Sequence, residues 1–268
     1  KYSKNLKLGI HEDTTNRERL SKLLRYETNK SNGDIISFEY YVNNMKEKQK
    51  GIYYITGENK KAIQNTPYLE KLTKLGYEVI YMTDPLDEYM VQQLREFDGK
   101  KLINITKEKL ELEDTDKDLF EKQKEEYKGL CEFIKNLLGE EVENVLVSNR
   151  LEKSPCILVS NEWAMTANMQ RILKAQALRG SGNDVSFMMN KKSMEINPNN
   201  KIIQTLNSKY SEDNNQKMVK DLVWLLYDVS QINSGYSLNE PTKFANRIHN
   251  LINIGLSIDD DNDIDNQQ

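Results

Sequence analysis

The sequence predicts an α/β domain followed by a mixed α+β domain that ends in a pair of helices. Short apolar runs alternate with helical patterns over residues 52–105, a highly charged run covers residues 111–127, and two very apolar helices follow over residues 217–256. Alternating strands and helices are typical of a parallel sheet with helical crossovers. The charged run marks the boundary, so we expect domains at residues 1–113 and 114–258.

The first domain is predicted to be a small α/β/α layered unit with a three-stranded sheet of parallel type. Its strands are the β-branched and aromatic runs at residues 52–55, 77–82 and 102–105. Thr66-Pro67 and Asp84-Pro85 mark the starts of helices between these strands. Ser37 is expected to cap an earlier helix, because its hydroxyl can accept a hydrogen bond from a free backbone N–H.

The second domain is predicted to combine short strands with helices. Strands are expected over residues 142–147 and 156–159, around a turn at Pro155. Helical spacing covers residues 165–178, and residues 186–194 read as a short helical or mobile piece. Residues 259–268 are acidic and poor in apolar side chains, so we expect a disordered tail.

The most apolar part of this domain is a helix pair joined by a turn at Asn233-Ser234-Gly235. The pair carries more apolar surface than one antiparallel hairpin can bury. Two interpretations stay open: the pair packs on its own domain, or two copies meet as a four-helix-bundle dimer interface. The candidate interface residues are Leu222, Leu225, Leu226, Val229, Phe244, Ile248, Leu251 and Ile252.

Composition excludes several classes of partner. The formal net charge of −4 argues against binding nucleic acid through its phosphates. No apolar run could span a bilayer and no signal peptide is visible, so no membrane partner is predicted. Only two cysteines are present, which favours a reducing compartment and hence a cytoplasmic protein. Residues 1–8 already read as helix, so we expect a fragment of a longer protein.

No catalytic constellation is found. The chain contains neither GxGxxG nor GxxxxGK[ST], so dinucleotide and P-loop phosphate binding are not supported. His11 and His249 have no partner at ligand spacing, so no metal site, cofactor or catalytic residue is predicted for this chain. Cys156 follows Pro155 at the start of a strand. The pattern favours a small buried residue there, and a regulatory thiol is the alternative.

The candidate binding surface is a helical face rich in methionine. Three of its residues lie at i, i+4 and i+7, with a tryptophan just before them and two further methionines after them. Core packing is one interpretation. An adaptable contact surface is the other, because methionine can repack against many partners and tryptophan can serve as an anchor. The candidate residues are Trp163, Met165, Met169, Ile172, Met188 and Met189.

Several segments of the chain match signatures of one known family. The longest is TANMQRILKAQALR at residues 166–179, and the others are IYYITGE at 52–58, DEY at 87–89, QQL at 92–94, EFDGK at 96–100, SNRL at 148–151 and EINP at 195–198. These segments resemble the ninety-kilodalton heat-shock chaperones, the heat-shock protein 90 family. The resemblance extends from about residue 3 to residue 258. It implies the later middle domain and the carboxy-terminal dimerisation domain of such a chaperone.

The resemblance also implies a function and partners. The parent would be an ATPase that uses ATP and Mg, and its nucleotide pocket and catalytic arginine would lie outside this chain, which is therefore not expected to be an enzyme. The expected partners are a second copy of the chain, client proteins and, for the parent, co-chaperones. The family's client-contact face falls on Met165, Met169 and Ile172, and its dimer bundle falls on the helix pair. Cys156 aligns with a position where the family can carry a modification-sensitive thiol.

Two departures and two alternatives accompany the resemblance. Cytosolic members usually read aromatic-Gly-Trp where this chain reads Trp163-Ala164-Met165. Their co-chaperone-binding Met-Glu-Glu-Val-Asp tail is not found, so it is absent from the parent or lies beyond this chain. The IYYITGE and QQL segments look more like the cytosolic branch than the endoplasmic reticulum branch. The alternative hypotheses are an α/β nucleotide-dependent enzyme domain and a purely structural dimeric scaffold.

Overall fold

The computed structural model describes residues 2–112, 116–177, 192–212 and 217–256. Helices and strands are interspersed along the chain, and the strands form two small sheets. This confirms the predicted mixture of helix and strand. The acidic segment 259–268 lies outside the described residues, so its predicted disorder stays a prediction.

The first part of the chain builds a four-stranded sheet in the order β2-β1-β4-β3. Strand β1 pairs in parallel with β2 and β4, whereas β3 pairs antiparallel with β4. The three parallel strands are the predicted ones, although β2 begins at Ile80 rather than at residue 77, and β3 is an addition. The elements are α1 Ser3–Glu12, α2 Arg17–Ser21, α3 Phe38–Asn43, β1 Ile52–Thr56, α4 Lys60–Ile63, α5 Glu70–Lys74, β2 Ile80–Met82, α6 Pro85–Gln93, β3 Glu96–Phe97 and β4 Lys100–Asn104.

Strand β1 is buried on both faces, as expected for a parallel strand inside a layered fold. Its side chains alternate, so Ile52 packs with core residues of α1, α3 and α6, whereas Tyr53 packs on the opposite face. That opposite face is closed in part by Ile157 and Val159 from the later part of the chain. The first sheet therefore depends on both parts of the chain for its cover.

The helix starts predicted at Ser37 and at Asp84-Pro85 are confirmed, whereas at Thr66-Pro67 a 3-10 turn over Pro67–Leu69 precedes α5. The Ser37 side chain accepts a hydrogen bond from Tyr40 N at 3.1 Å, which caps α3. Asp84 accepts from Leu86 N, and Asp87 reaches back to Asp84 N at 3.2 Å, which together form a capping box around Pro85. These caps fix where α3 and α6 begin.

The second part packs helices around a three-stranded sheet in the order β5-β7-β6. Strand β7 pairs in parallel with β5 and antiparallel with β6. The main hydrophobic core of the second part lies between this sheet and helices α7, α9 and α10. The elements are α7 Lys117–Leu138, β5 Val145–Val147, β6 Cys156–Ser160, α8 Ala167–Ala177, β7 Lys192–Ile196, α9 Lys201–Glu212, α10 Lys217–Asn233 and α11 Pro241–Gly255.

The prediction of a helical or mobile piece over residues 186–194 is wrong at its end, because Lys192 to Met194 begin strand β7. Residues 186–191 lie outside the described residues. Every residue of β7 is buried, including the charged Lys192 and Glu195. The Lys192 Nζ atom lies 5.3 Å and 5.2 Å from the ring centroids of Tyr227 and Tyr236, a cation–π arrangement. Because Lys192 and Glu195 interrupt the apolar residues of this strand, its sequence does not show the pattern of a buried strand.

Contacts between the two parts include a carboxylate that binds a loop. Glu70 of α5 accepts hydrogen bonds from the backbone N–H groups of Glu152, Lys153 and Ser154 at 2.8–3.2 Å, and from Ser154 Oγ at 2.6 Å. Burial favours the neutral acid, but these hydrogen bonds outweigh it and hold the pKa of Glu70 below its ordinary value. The predicted boundary at residue 113 itself lies outside the described residues and stays a prediction.

Glu70→Gln should reduce the free energy of unfolding at pH 7 by about 1–2 kcal/mol, because charge-assisted hydrogen bonds to the 152–154 loop are lost. A carboxylate with a lowered pKa stabilises the fold above its unfolded pKa, and this contribution disappears as the pH falls through the folded-state value. The difference between the wild type and the variant should therefore shrink below about pH 4.5. Urea unfolding at several pH values measures it, with exposed Glu47→Gln as the control. A difference that does not depend on pH would contradict the assignment.

Candidate functional site

The start of helix α8 is held by a carboxylate from the first part of the chain. Thr166 Oγ1 accepts a hydrogen bond from Met169 N at 3.0 Å and donates one to Glu88 Oε1 at 2.8 Å. Asn168 Nδ2 donates to the same oxygen at 3.0 Å. Glu88 is buried in α6. A negative charge at a helix N-terminus is favourable, so Glu88 both orients α8 and complements its dipole.

The predicted client-contact residues differ in how far they reach the surface. Trp163, on the turn before α8, is 84% exposed, and Met165 and Met169 are half-buried. Ile172 is only 6% exposed and faces the interior. Met188 and Met189 lie outside the described residues. The surface offered at the start of α8 therefore consists of Trp163, Met165 and Met169, and client contact by any of the six stays a prediction.

A small cavity of about 110 Å³ lies at the carboxyl end of β1. Its lining includes Thr56, Asn168, Arg171 and Ser234. Thr56 Oγ1 and Arg171 Nε are buried and have no hydrogen-bond partner among the described residues. Pockets that bind cofactors measure roughly 300–1,000 Å³. Because this crevice is narrowed by α8 and the turn after α10, it gives no support to the nucleotide-dependent enzyme hypothesis.

Helix α10 uses one side to join its own core. Val219, Val223 and Tyr227 are fully buried against the sheet and α7. The predicted interface residues on this helix are half-buried in the single subunit. They are Leu222, Leu225, Leu226 and Val229. The helix therefore has one side that is satisfied within the subunit and a second, apolar side that is only partly covered.

Helix α11 has no buried residue in the single subunit. Two contacts of Arg247 join α11 to α10. Its guanidinium forms an ion pair with Asp228. The central carbon of the guanidinium also lies 5.1 Å from the Trp224 ring centroid, a cation–π arrangement. The predicted interface residues on α11 remain accessible: Phe244 and Ile248 are half-buried, and Leu251 and Ile252 are 40% and 49% exposed. The apolar face of the helix pair is therefore only partly covered, and it is most exposed at Leu251 and Ile252.

A family model described as Hsp90 protein matches residues 1–268, which is the whole chain. The chain belongs to the Hsp90 family. This confirms the resemblance drawn from the sequence motifs.

Individual Hsp90 relatives agree with this assignment. Heat shock protein 83 of Leishmania donovani is 43% identical over 262 residues, which are 97% of this chain and 58% of that protein. Putative heat shock protein HSP 90-beta-3 of Homo sapiens is 48% identical over 223 residues, 82% of this chain and 37% of that protein. An endoplasmin homolog of Arabidopsis thaliana is 42% identical over 261 residues, 97% of this chain and 31% of that protein. The chain thus spans 31–58% of the length of these relatives.

The comparisons leave the branch of the Hsp90 family open. Identity is 48% to HSP 90-beta-3, 43% to heat shock protein 83 and 42% to an endoplasmin homolog. These identities extend over matches of different length and do not assign the chain to one branch, so cytoplasmic localisation stays a prediction. In the part of the chain that the structure describes, no helix is long and apolar enough to cross a bilayer.

The two cysteines of this Hsp90 chain lie in apolar surroundings. Cys156 is buried in β6, where its Sγ accepts a hydrogen bond from Ser230 Oγ at 2.9 Å. Burial raises the pKa of Cys156 to about 12, and burial likewise raises the pKa of Cys131 to about 12. A thiol must ionise to react, so the folded state shown here protects Cys156. Its regulatory role stays a prediction. Among residues 2–112, 116–177, 192–212 and 217–256, no cluster of metal-ligating side chains is present.

No pattern in the sequence predicted the residues that hold the surface at the start of α8. Glu88 lies in the DEY segment and Thr166 begins the TANMQ segment, so the resemblance marked both positions without giving them a role. Lys107 is the third residue that holds this surface, and its ammonium group donates to the carbonyl oxygens of Asn161 and Ala164. A lone lysine after a strand ordinarily reads as solvent-exposed, so no signal in the sequence marked it.

Proposed function

We propose that this chain is the dimerisation and client-binding portion of an ATP-driven Hsp90 chaperone that assists protein folding and takes part in the stress response. The parent's ATP, Mg and catalytic arginine belong to a part outside this chain, and co-chaperones bind the full-length parent. The chain itself binds unfolded proteins and is not an enzyme. The observation that carries this proposal is the partly exposed apolar face of α10 and α11.

The partly exposed apolar face supports a homodimer. Apolar residues at the end of the pair, Ile254 and Leu256, are more than half exposed, and an exposed patch of this kind marks an interaction surface. A second copy presents the same patch, so a two-fold axis can place two helix pairs face to face as a four-helix bundle. Sedimentation of the purified chain at tens of micromolar tests this. A dimer mass is expected, and a monomer would remove the proposal's main support.

The surface before and along α8 supports client binding. An exposed tryptophan anchors apolar segments well because it buries a large area with few rotatable bonds. Met165 and Met169 add polarisable, unbranched side chains beside it in the sequence, which suits clients of varied sequence. Unfolded chains expose apolar residues of many kinds, and this combination fits such a partner.

Trp163→Ala should weaken binding of an unfolded client by about tenfold, the loss expected for a hot-spot aromatic residue. Fluorescence titration with a labelled, reduced and carboxymethylated protein measures the affinity. Tyr40→Ala is the control, because Tyr40 is also an exposed aromatic residue but lies on α3. Equal affinity of the Trp163 variant and the wild type would favour the alternative of a purely structural dimeric scaffold.

A further inference from the structure

The turn that carries Trp163 is fastened at its base to the segment after β4. Ser160 N donates a hydrogen bond to Thr106 O at 3.1 Å, and Glu108 N donates to Ser160 O at 2.9 Å. These two bonds form a parallel bridge between Lys107 and Ser160. The turn follows directly after the end of β6, and that end is therefore fixed to the first part of the chain.

The turn itself spans Asn161 to Ala164. Ala164 N donates to Asn161 O at 3.1 Å, the hydrogen bond of a β-turn, and Trp163 N donates to Asn161 Oδ1 at 3.2 Å. Trp163 therefore sits at the third position of the turn, with its backbone held and its side chain in solvent. Residues at such exposed tips ordinarily move on a nanosecond to microsecond timescale.

The Lys107 ammonium joins both ends of this turn. Its Nζ atom donates to Asn161 O at 3.0 Å and also donates to Ala164 O. One side chain from outside the turn thus binds the carbonyl groups of its first and last residues. Opening the turn would separate these two oxygens, so it would break at least one of the two charge-assisted hydrogen bonds.

The surroundings of Lys107 show that this contact is a specific one. Burial lowers the pKa of Lys107 to about 8, and the carboxylates of Glu88, Glu108 and Glu162 act in the opposite direction. An ammonium group that leaves water needs hydrogen-bond acceptors in exchange, and the turn's carbonyl groups supply them. The same residue's own carbonyl oxygen accepts a hydrogen bond from Arg150 Nη1 at 2.8 Å, which fixes the backbone from which Lys107 extends.

We propose that Lys107 is a positioning residue that holds the Asn161–Ala164 turn closed and thereby keeps Trp163 ready to bind client proteins. The proposal rests on the proposed client-binding function. A held tryptophan loses less conformational freedom on binding than a free one, so the turn's rigidity adds to affinity without adding a contact. Lys107 acts through the turn and touches no client.

The test measures the motion of Trp163 through the fluorescence of its own indole ring. The chain has two tryptophans, so Trp224→Phe leaves Trp163 as the only one. In this background, Lys107→Met removes the ammonium group but keeps a side chain of similar length. Lys101→Met is the matched control, because Lys101 is an exposed lysine on the neighbouring strand β4. Time-resolved fluorescence anisotropy measures the motion of Trp163, and titration with the labelled unfolded protein measures affinity.

Lys107→Met should increase the fast, local component of the Trp163 anisotropy decay and weaken client binding by about threefold to tenfold, whereas Lys101→Met should change neither. Superimposable anisotropy decays for the Trp224→Phe chain with and without Lys107→Met would overturn the proposal. A loosened turn with unchanged client affinity would also overturn it, provided that Trp163→Ala weakens binding. If Trp163→Ala leaves affinity unchanged, the proposed client surface fails instead, and the anisotropy decay alone decides whether Lys107 holds the turn.

A second variant keeps the test decisive if Lys107→Met does not fold. Asn161→Ala removes the oxygen that accepts from Trp163 N and leaves Lys107 in place. If the turn's closure positions Trp163, this variant should show the same increase in local motion and the same direction of change in affinity. Unchanged motion and affinity in a folded Asn161→Ala variant would overturn the positioning role.

Discussion

Replacing Leu251 and Ile252 of α11 by aspartate should convert the proposed dimer into a monomer. Both side chains are substantially exposed in the single subunit, so aspartate there meets water in the monomer. In a four-helix bundle the same aspartates would be buried without partners. A full apolar side chain contributes roughly 1.5–3 kcal/mol on burial, and a dimer carries four such sites. We therefore expect the dissociation constant to rise at least about 1,000-fold, which corresponds to about 4 kcal/mol.

Sedimentation velocity over a range of concentrations measures this change. Ile202→Asp is the matched control, because Ile202 is a similarly exposed apolar residue on α9, outside the helix pair. Leu222 is a less suitable target, since it packs partly on the core of its own subunit and aspartate there would also destabilise the monomer. A dimer that survives both aspartates at unchanged affinity would show that α11 does not form the interface.

The elements that the sequence predicts well are those whose apolar residues follow one clear pattern. Strand β1 is an uninterrupted apolar and aromatic run because it is buried on both faces. Helices α10 and α11 show helical spacing, and Gly235 closes α10 with a φ of 80°, as its position in the turn predicts. Local caps at Ser37 and Asp84 are equally visible, because capping depends on residues close in sequence.

The elements that the sequence hides are those whose charged residues are buried by distant partners. Strand β7 contains Lys192 and Glu195, which are both buried. Burial is possible because Lys192 contacts aromatic rings and Glu195 forms an ion pair with a guanidinium group. The same reason explains why Lys107 and Glu88 were missed. Helical spacing placed Met165, Met169 and Ile172 on one stripe, but spacing alone does not tell which part of a stripe meets the core. Burial of Ile172 and exposure of Trp163 follow from tertiary packing.

Three charged side chains, Glu70, Glu88 and Arg150, join the first part of the chain to the second. Glu70 binds the loop between β5 and β6, Glu88 binds the start of α8, and Arg150 reaches back to the end of β4. Each contact brings a charged group to backbone or side-chain partners that lie far away in sequence. The candidate client surface therefore sits on a scaffold whose geometry depends on these polar contacts as much as on apolar packing.

Arg150→Met should reduce the free energy of unfolding by about 3–5 kcal/mol, the cost of breaking a buried ion pair by removing one partner. Arg150 is only 1% exposed, and its Nε atom lies 3.0 Å from Glu195 Oε2. Its Nη1 atom donates to Ile105 O at 2.9 Å and to Lys107 O. Methionine fills a similar volume but leaves the Glu195 carboxylate and both carbonyl oxygens without this partner.

Urea unfolding at one fixed protein concentration measures the loss, since the stability of the proposed dimer would depend on concentration. Lys74→Met is the matched control: it removes an exposed ion pair with Glu152 that also joins the two parts of the chain, and should cost no more than about 1 kcal/mol. Adding Glu195→Gln to Arg150→Met should recover part of the loss, because the unpaired buried charge is then gone. If Arg150→Met costs no more than Lys74→Met, the buried pair does not hold the two parts together.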